Sequence, residues 1–148
     1  MPEATSPPDS LTITHTAWEA ALAHMRESWP NEGVGFFLGP SKCTALTFVP
    51  ARNVRAGREF IVDPHDQYLA FRQARDGGQA LVALCHSHPG GGTGLSQQDR
   101  TMLADWPFLH VVVALASQRS VARASAWSIQ TDQAVAVPFL IEGAPRDR

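Results

Sequence analysis

His86 and His88 stand one residue apart, and Pro89, four glycines between Gly90 and Gly94, Ser96 and Asp99 follow within the next eleven residues. In an extended segment, residues two apart project to the same side, so the two imidazoles can aim nitrogens at one point. A turn through the glycines can bring Asp99 back to supply an oxygen, giving two histidines and one carboxylate. Zinc favours such a set, and three protein ligands leave a fourth tetrahedral position for water, which separates a catalytic site from a closed structural one. Hydrolysis of a peptide bond also needs a base that takes the water proton and returns it to the leaving amine. Glu32, at the mouth of the glycine-flanked apolar segment Gly33–Pro40, is the candidate. Blander readings of the same residues stay open. A His-x-His pair is often incidental, Ser96-x-x-Asp99 is also a helix N-capping arrangement, and an acid at a strand start is often a solvated end. The run Gly90–Gly94 reads either as a plain connection or as a flap over the site.

The elements that must position these residues follow from local patterning. Leu11–Thr14 alternates like a short strand, and Thr16 is placed to cap a helix with Trp18, Ala21, Leu22 and Met25 on one face, ending at Trp29-Pro30-Asn31. Gly33–Pro40 reads as a buried strand, Cys43–Val49 as its hairpin partner across Gly39-Pro40-Ser41-Lys42, Asn53–Arg58 as a loop and Phe60–Val62 as a short strand. Asp63 before Pro64 has N-cap and first-turn chemistry, and Gly77-Gly78 supplies a stop, predicting a helix over about 64–77. Gln79–Ser87 is an apolar strand that carries His86 and His88 to its C-terminal end, where Pro89 stops the ladder. A helix from Ser96 to about Trp106 and strands at Phe108–Ala116, Ser120–Ile129 and Ala134–Ile141 complete the pattern, with Pro138 placing the last strand at an edge. Strands and helices mixed in this way predict an α/β domain with a mixed sheet flanked by helices. The expected organisation is a flexible tail over 1–9, one domain over 10–142 and a short tail over 143–148.

Composition narrows the function classes. The 148 residues carry 12 Lys+Arg against 14 Asp+Glu, a net charge of -2, and 44% hydrophobic residues, as expected of one folded domain. Such a chain buries roughly 70% of its unfolded surface, enough for a core without disulfide staples. The arginines Arg52, Arg55, Arg58, Arg72 and Arg75 are scattered without aromatic interleaving, which speaks against nucleic acid as a partner. Two cysteines, Cys43 and Cys85, are too few for a secreted disulfide scaffold. Met1–Asp9 has neither a basic stretch nor an apolar run and does not read as a secretory signal, and Val111–Ala116 is far shorter than the ~20 residues of a membrane helix. The expected setting is therefore the reducing cytoplasm, away from membranes, and a homodimer stays open. His15, His24, His65 and His110 lack metal-ligand spacing, and Trp18, Trp29, Trp106 and Trp127 read as core or interface anchors.

An upstream Glu followed by His-x-His-Pro, six residues, Ser, two residues and Asp resembles the JAMM motif, matched here by Glu32, His86, His88, Pro89, Ser96 and Asp99. Pro30–Gly35, Asn53-Val54 and Phe60–Pro64 resemble further segments of that family, so the resemblance covers essentially the whole domain. It implies a JAMM/MPN-plus zinc metallopeptidase of the small prokaryotic type, with a curved mixed sheet related to cytidine deaminases. One zinc ion per chain would be held by His86, His88 and Asp99. Glu32 would activate the zinc-bound water, and Ser96 would hydrogen-bond the developing oxyanion, with Ser87 at most in a supporting role. The implied substrate is a ubiquitin-like or sulfur-carrier protein, cut at the peptide or isopeptide bond after its C-terminal Gly-Gly.

The alternative within the same fold is a non-catalytic, zinc-binding MPN scaffold, which typically lacks a ligand or the glutamate; here none is missing. A zinc deaminase would need His-x-Glu and Cys-x-x-Cys, and neither pattern is present.

Overall fold

The computed structural model describes residues 8–55, 60–104, 106–130 and 133–143. Most of both expected tails, over 1–7 and 144–148, and the end of the expected 53–58 loop lie outside the described residues. The elements are β1 (Leu11–Thr14), α1 (His15–Ser28), β2 (Val34–Gly39), β3 (Thr44–Ala45), β4 (Thr47–Ala51) and α2 (Pro64–Asp76). They continue with β5 (Ala80–Pro89), α3 (Gln97–Leu103), β6 (Leu109–Leu115), β7 (Arg123–Gln130), β8 (Gln133–Val137) and β9 (Phe139–Glu142).

Six strands form a mixed sheet in the order β4-β2-β5-β6-β7-β8, in which β5 and β6 run parallel and every other neighbouring pair is antiparallel. A second sheet, β3-β1-β9, is small and parallel. The apolar runs of β2, β5 and β6 are buried because helices cover both faces of the sheet, which is the usual reason strands lose their polar alternation. On one face Ala17, Ala21, Leu22 and Met25 of α1 pack against Phe37, Ala83, Cys85, Val111 and Val113. On the other, Ala70 of α2 and Leu103 of α3 pack against Val34, Phe36, Leu84 and Phe60. Among the described residues, no helix is long and apolar enough to cross a membrane.

Several local expectations need correction. Thr14, not Thr16, caps α1: it ends β1 in an extended conformation, and its hydroxyl accepts from the Ala17 N–H at 3.2 Å. The expected Cys43–Val49 strand is two strands in different sheets. Gly39 lies so close to Thr44 that a Cβ there would sit 1.7 Å from the Thr44 carbonyl oxygen. The Leu46 N–H bonds the Leu38 carbonyl at 2.8 Å, so β3 leaves to pair with β1 while β4 stays with β2. The last strand is likewise split, because Pro138 has no N–H to continue the β7–β8 ladder; its carbonyl instead accepts from Leu11 and leads β9 onto β1. Phe60–Val62 forms one isolated bridge, Asn53 to Val62, in place of a strand, and α3 stops at Leu103, short of Trp106.

Candidate metal centre

The chemistry-bearing residues come from three places: the C-terminal end of β5, the first turn of α3 and the segment entering β2. Because β5 alternates, His86 and His88 share the face that α2 and α3 cover, and their Nε2 atoms lie 3.1 Å apart. Asp99 occupies the third position of α3, where Ser96 and Asp99 form a capping box. The Asp99 N–H donates to Ser96 Oγ at 2.9 Å and the Ser96 N–H to Asp99 Oδ2 at 3.1 Å. That same Oδ2 lies 3.3 Å from His86 Nε2 and 3.0 Å from His88 Nε2. The capping reading holds and leaves the ligand reading open to the same carboxylate: the cap fixes the rotamer that reaches the histidines.

His88 is oriented from its far side. Its Nδ1 is 2.9 Å from the Gly92 carbonyl oxygen, which can only accept, so Nδ1 donates there and the ring is turned with Nε2 toward the centre. The Gly90–Gly94 run is thus tied to the site, and it is tied again at the next residue. The Thr93 carbonyl accepts from Ser125 Oγ at 2.5 Å and from Trp127 Nε1 at 3.0 Å. In this conformation the loop is held at both residues by side chains of β5 and β7.

Glu32 is only 4% exposed and arrives from the other side of β5. Its backbone carbonyl accepts from Asn53 Nδ2 at 2.9 Å. The next residue, Gly33, donates its N–H to Ser87 Oγ at 2.8 Å, and its carbonyl accepts from the Ser87 N–H at 3.0 Å. A side chain at Gly33 would drive a Cβ to 2.8 Å from Met25 Sδ, so glycine lets α1 lie against the segment that carries Glu32. The result is four residues, Glu32, His86, His88 and Asp99, each offering one ligand atom, all within 4.8 Å of one another. They form the single such group among the described residues. His24 is structural, its Nε2 lying 2.9 Å from the Val34 carbonyl.

Electrostatics sets the protonation states. Burial pushes the His86 pKa down, against the pull of Asp99, which favours neutral imidazole. His88 is raised: burial opposes this, but hydrogen bonds to Asp99 and Gly92 and the charges of Asp99 and Glu32 outweigh it. For Asp99 burial would raise the pKa, yet the hydrogen bonds from His86 and His88 hold it well below the usual carboxylate range. His110, fully buried on β6, is pushed down to about 3, first by burial and then by His86.

These residues fit a metal ion. Two imidazole nitrogens and a carboxylate oxygen, each able to act as a metal ligand once the imidazole nitrogens are deprotonated, converge at 3.0–3.3 Å. Bonds of 2.0–2.1 Å in a tetrahedron place ligand atoms about 3.3–3.4 Å apart, close to what is seen. A cleft of about 490 Å³ opens over the group, bounded by Pro30, Pro89, Gly90, Gly91 and Ser96 as well as by Glu32, His88 and Asp99.

All five residues singled out in the sequence are brought together here. Asn53, Ser125 and Trp127 were not assigned to the site by sequence reasoning. Asn53 is expected only as the start of a loop and part of a resembling segment, and Trp127 as a core or interface anchor. Their signal, a side-chain bond to a backbone carbonyl distant in sequence, has no local pattern.

Comparison with known proteins agrees with this architecture. A solution structure of a protein from Desulfitobacterium hafniense superposes with a TM-score of 0.81 at 24% identity, covering 89% of this chain and 92% of that one. A Salinibacter ruber protein gives 0.63 at 22% identity over 93% and 97% of the two chains. A JAB1/MPN domain protein from Archaeoglobus fulgidus gives 0.58 at 13% identity over 90% and 100%. At these identities the likeness concerns the fold. No curated protein matches the sequence. The family model for prokaryotic homologs of the JAB domain matches residues 14–130, and the chain accordingly belongs to that family.

Proposed function

We propose that this protein is a zinc-dependent hydrolase that cuts the peptide or isopeptide bond after the C-terminal Gly-Gly of a ubiquitin-like or sulfur-carrier protein. The observation that carries the reading is the convergence of His86, His88 and Asp99 on one point with the Glu32 carboxylate within 4.8 Å of them, at the floor of an open cleft. Zinc, held by His86, His88 and Asp99, would act as a Lewis acid and lower the pKa of water toward neutrality.

The chain's own residues supply the rest. Glu32, buried at the floor of the cleft, takes the proton of the attacking water and returns it to the leaving amine. Ser96 Oγ accepts from the Asp99 N–H with a lone pair, so its own hydrogen remains to donate to the oxyanion of the tetrahedral intermediate. The cleft walls at Gly90, Gly91, Pro30 and Pro89 carry no long side chain, which suits a thin, extended Gly-Gly segment.

The test is intact mass spectrometry of zinc-loaded protein and Glu32→Gln on ubiquitin-like and sulfur-carrier proteins bearing short extensions after Gly-Gly. Cleavage at that junction is expected, abolished by chelator and by Glu32→Gln, while the variant still retains one zinc. Cleavage by Glu32→Gln at the wild-type rate would place the base elsewhere. No cleavage by a zinc-loaded wild type across the panel would overturn the substrate assignment and favour a zinc-binding scaffold.

A further inference from the structure

Gly90 to Ser96 is the glycine-rich part of the site. The Gly91 N–H bonds the His88 carbonyl at one end and the Ser96 cap closes the other. Between them, Leu95 packs against the core, but a Cβ at Gly92 or Gly94 would meet no atom within 4 Å, so side-chain packing does not fix the Gly92 peptide. Glycines also leave the backbone more conformational freedom than any other residue. Yet Gly92 must hold its carbonyl 2.9 Å from His88 Nδ1 to set that ring.

The sheet register shows what holds it. Ser125 of β7 lies opposite Val112 of β6, which lies opposite His86 of β5, so Ser125 shares a row with a candidate ligand two strands away. Trp127 lies opposite His110, in the next row on the same face. Leaving β5, the chain passes over β6, and the Thr93 carbonyl lands on this pair. Ser125 Oγ and Trp127 Nε1 both donate to it, and Trp127 Nε1 is also 2.7 Å from Ser125 Oγ.

We infer that Ser125 and Trp127 are positioning residues of the metal centre: by clamping the Thr93 carbonyl they present the adjacent Gly92 carbonyl to His88 and so fix the ring that binds the metal. The inference rests on the metal-binding reading above. Outer partners of a ligating histidine typically contribute 10–100-fold in metal affinity. This clamp acts one peptide further out, on the partner itself.

The experiment compares wild type, Ser125→Ala, Trp127→Phe, the double variant and Ser125→Thr. Zinc affinity is read by competition with a chromophoric chelator, the cobalt-substituted absorption spectrum reports ligand geometry, and thermal melting of metal-free protein reports stability. Trp127→Phe keeps an aromatic ring and removes only the N–H donor. The double variant is expected to bind zinc about tenfold or more weakly with an altered cobalt spectrum, and Ser125→Thr, which keeps the hydroxyl, to stay close to wild type. A lower melting temperature with zinc affinity within twofold and an unchanged cobalt spectrum would overturn the clamp and leave a packing role. Long-range proton–nitrogen correlation of metal-free protein at pH 9 reads the His88 tautomer directly. Wild type should show hydrogen on Nδ1 and the double variant a mixture; one tautomer in both would also overturn the clamp. Failure of wild type to bind zinc or cobalt would instead remove the metal reading, with the tautomer result still deciding the clamp.

Discussion

Cys85 and His86 are neighbours on β5, both with 0% exposure, and they face opposite sides of the sheet. Cys85 points at α1 among Ala21, Met25, Val111 and Val113, where burial pushes its thiol pKa up and keeps it neutral. His86 points toward His88 and Asp99, and there a buried acid behaves in the opposite way: Asp99 is held far below its ordinary range by the histidines' hydrogen bonds. Two buried acids a strand and a helix apart are thus displaced in opposite directions. The comparison shows that burial alone silences a titratable group, whereas burial with converging partners retains a charge at the cost of several polar atoms competing for one point. A cation would resolve that competition on the second face; the apolar surroundings of Cys85 on the first offer no such cluster among the described residues.

The largest effect should come from removing the charge that distinguishes the two faces. Asp99→Asn keeps an oxygen for the Ser96 cap but loses the anion, and metal analysis of the purified variant is expected to fall to background, with turnover lost. Stoichiometric zinc in Asp99→Asn would mean that the two faces differ less than their geometry indicates. Next comes Ser96, which caps α3 through its oxygen and, in the proposed function, serves the chemistry through its hydrogen. Ser96→Ala should lower kcat about 100-fold with zinc retained and cost about 1 kcal/mol through the lost cap. Ser96→Gly separates the two roles, since glycine replaces a cap for only a few tenths of a kcal/mol. Its kcat should fall as far as that of Ser96→Ala while its melting temperature stays nearer wild type.

A smaller effect concerns His110, on the same face as His86 but outside the ligand set. Its folded pKa near 3 lies below the roughly 6.5 of an unfolded chain. Between those values the unfolded state binds a proton that the folded state refuses, so this contribution to stability is complete above pH 6.5 and is lost as pH falls toward 3. One such proton gives a slope of up to about 1.4 kcal/mol per pH unit. Denaturant titrations of metal-free protein from pH 4 to pH 7 should show a shallower dependence in His110→Leu than in wild type. Equal slopes would assign the acid sensitivity to other groups.

The same contrast separates what the sequence displays from what it conceals. His86-x-His88 and Ser96-x-x-Asp99 are legible because strand and helix periods act over two to four residues, and Asp63-Pro64 marks the start of α2 for the same reason. Glu32 is less so, because it joins the site only through the pairing of β2 with β5, Val34 opposite His86, more than fifty residues apart. Its place at the mouth of a glycine-flanked apolar strand makes it a candidate, and the resemblance to a family, not spacing, supplies its role. Leu46 and Pro138 hide a change of sheet inside continuous apolar alternation, since the choice of partner strand is a long-range matter. Thr93 and Trp127 are concealed most completely, their bond joining a backbone carbonyl and an indole 34 residues apart.

The smallest expected effect tests the silent face. If Cys85 is only packing, iodoacetamide should label the native protein at exposed Cys43 alone, and the second thiol should react only in denaturant. Cys85→Ala removes one buried sulfur and should cost about 1 kcal/mol, by analogy with deleting a single buried methyl. It should leave zinc affinity and kcat within twofold, because the side chain faces α1 and touches no ligand. A large loss of metal affinity in Cys85→Ala, with little loss of stability, would show that strain crosses β5 from one face to the other. The two faces would then be coupled through the backbone that carries His86, and the division drawn from their packing would fail.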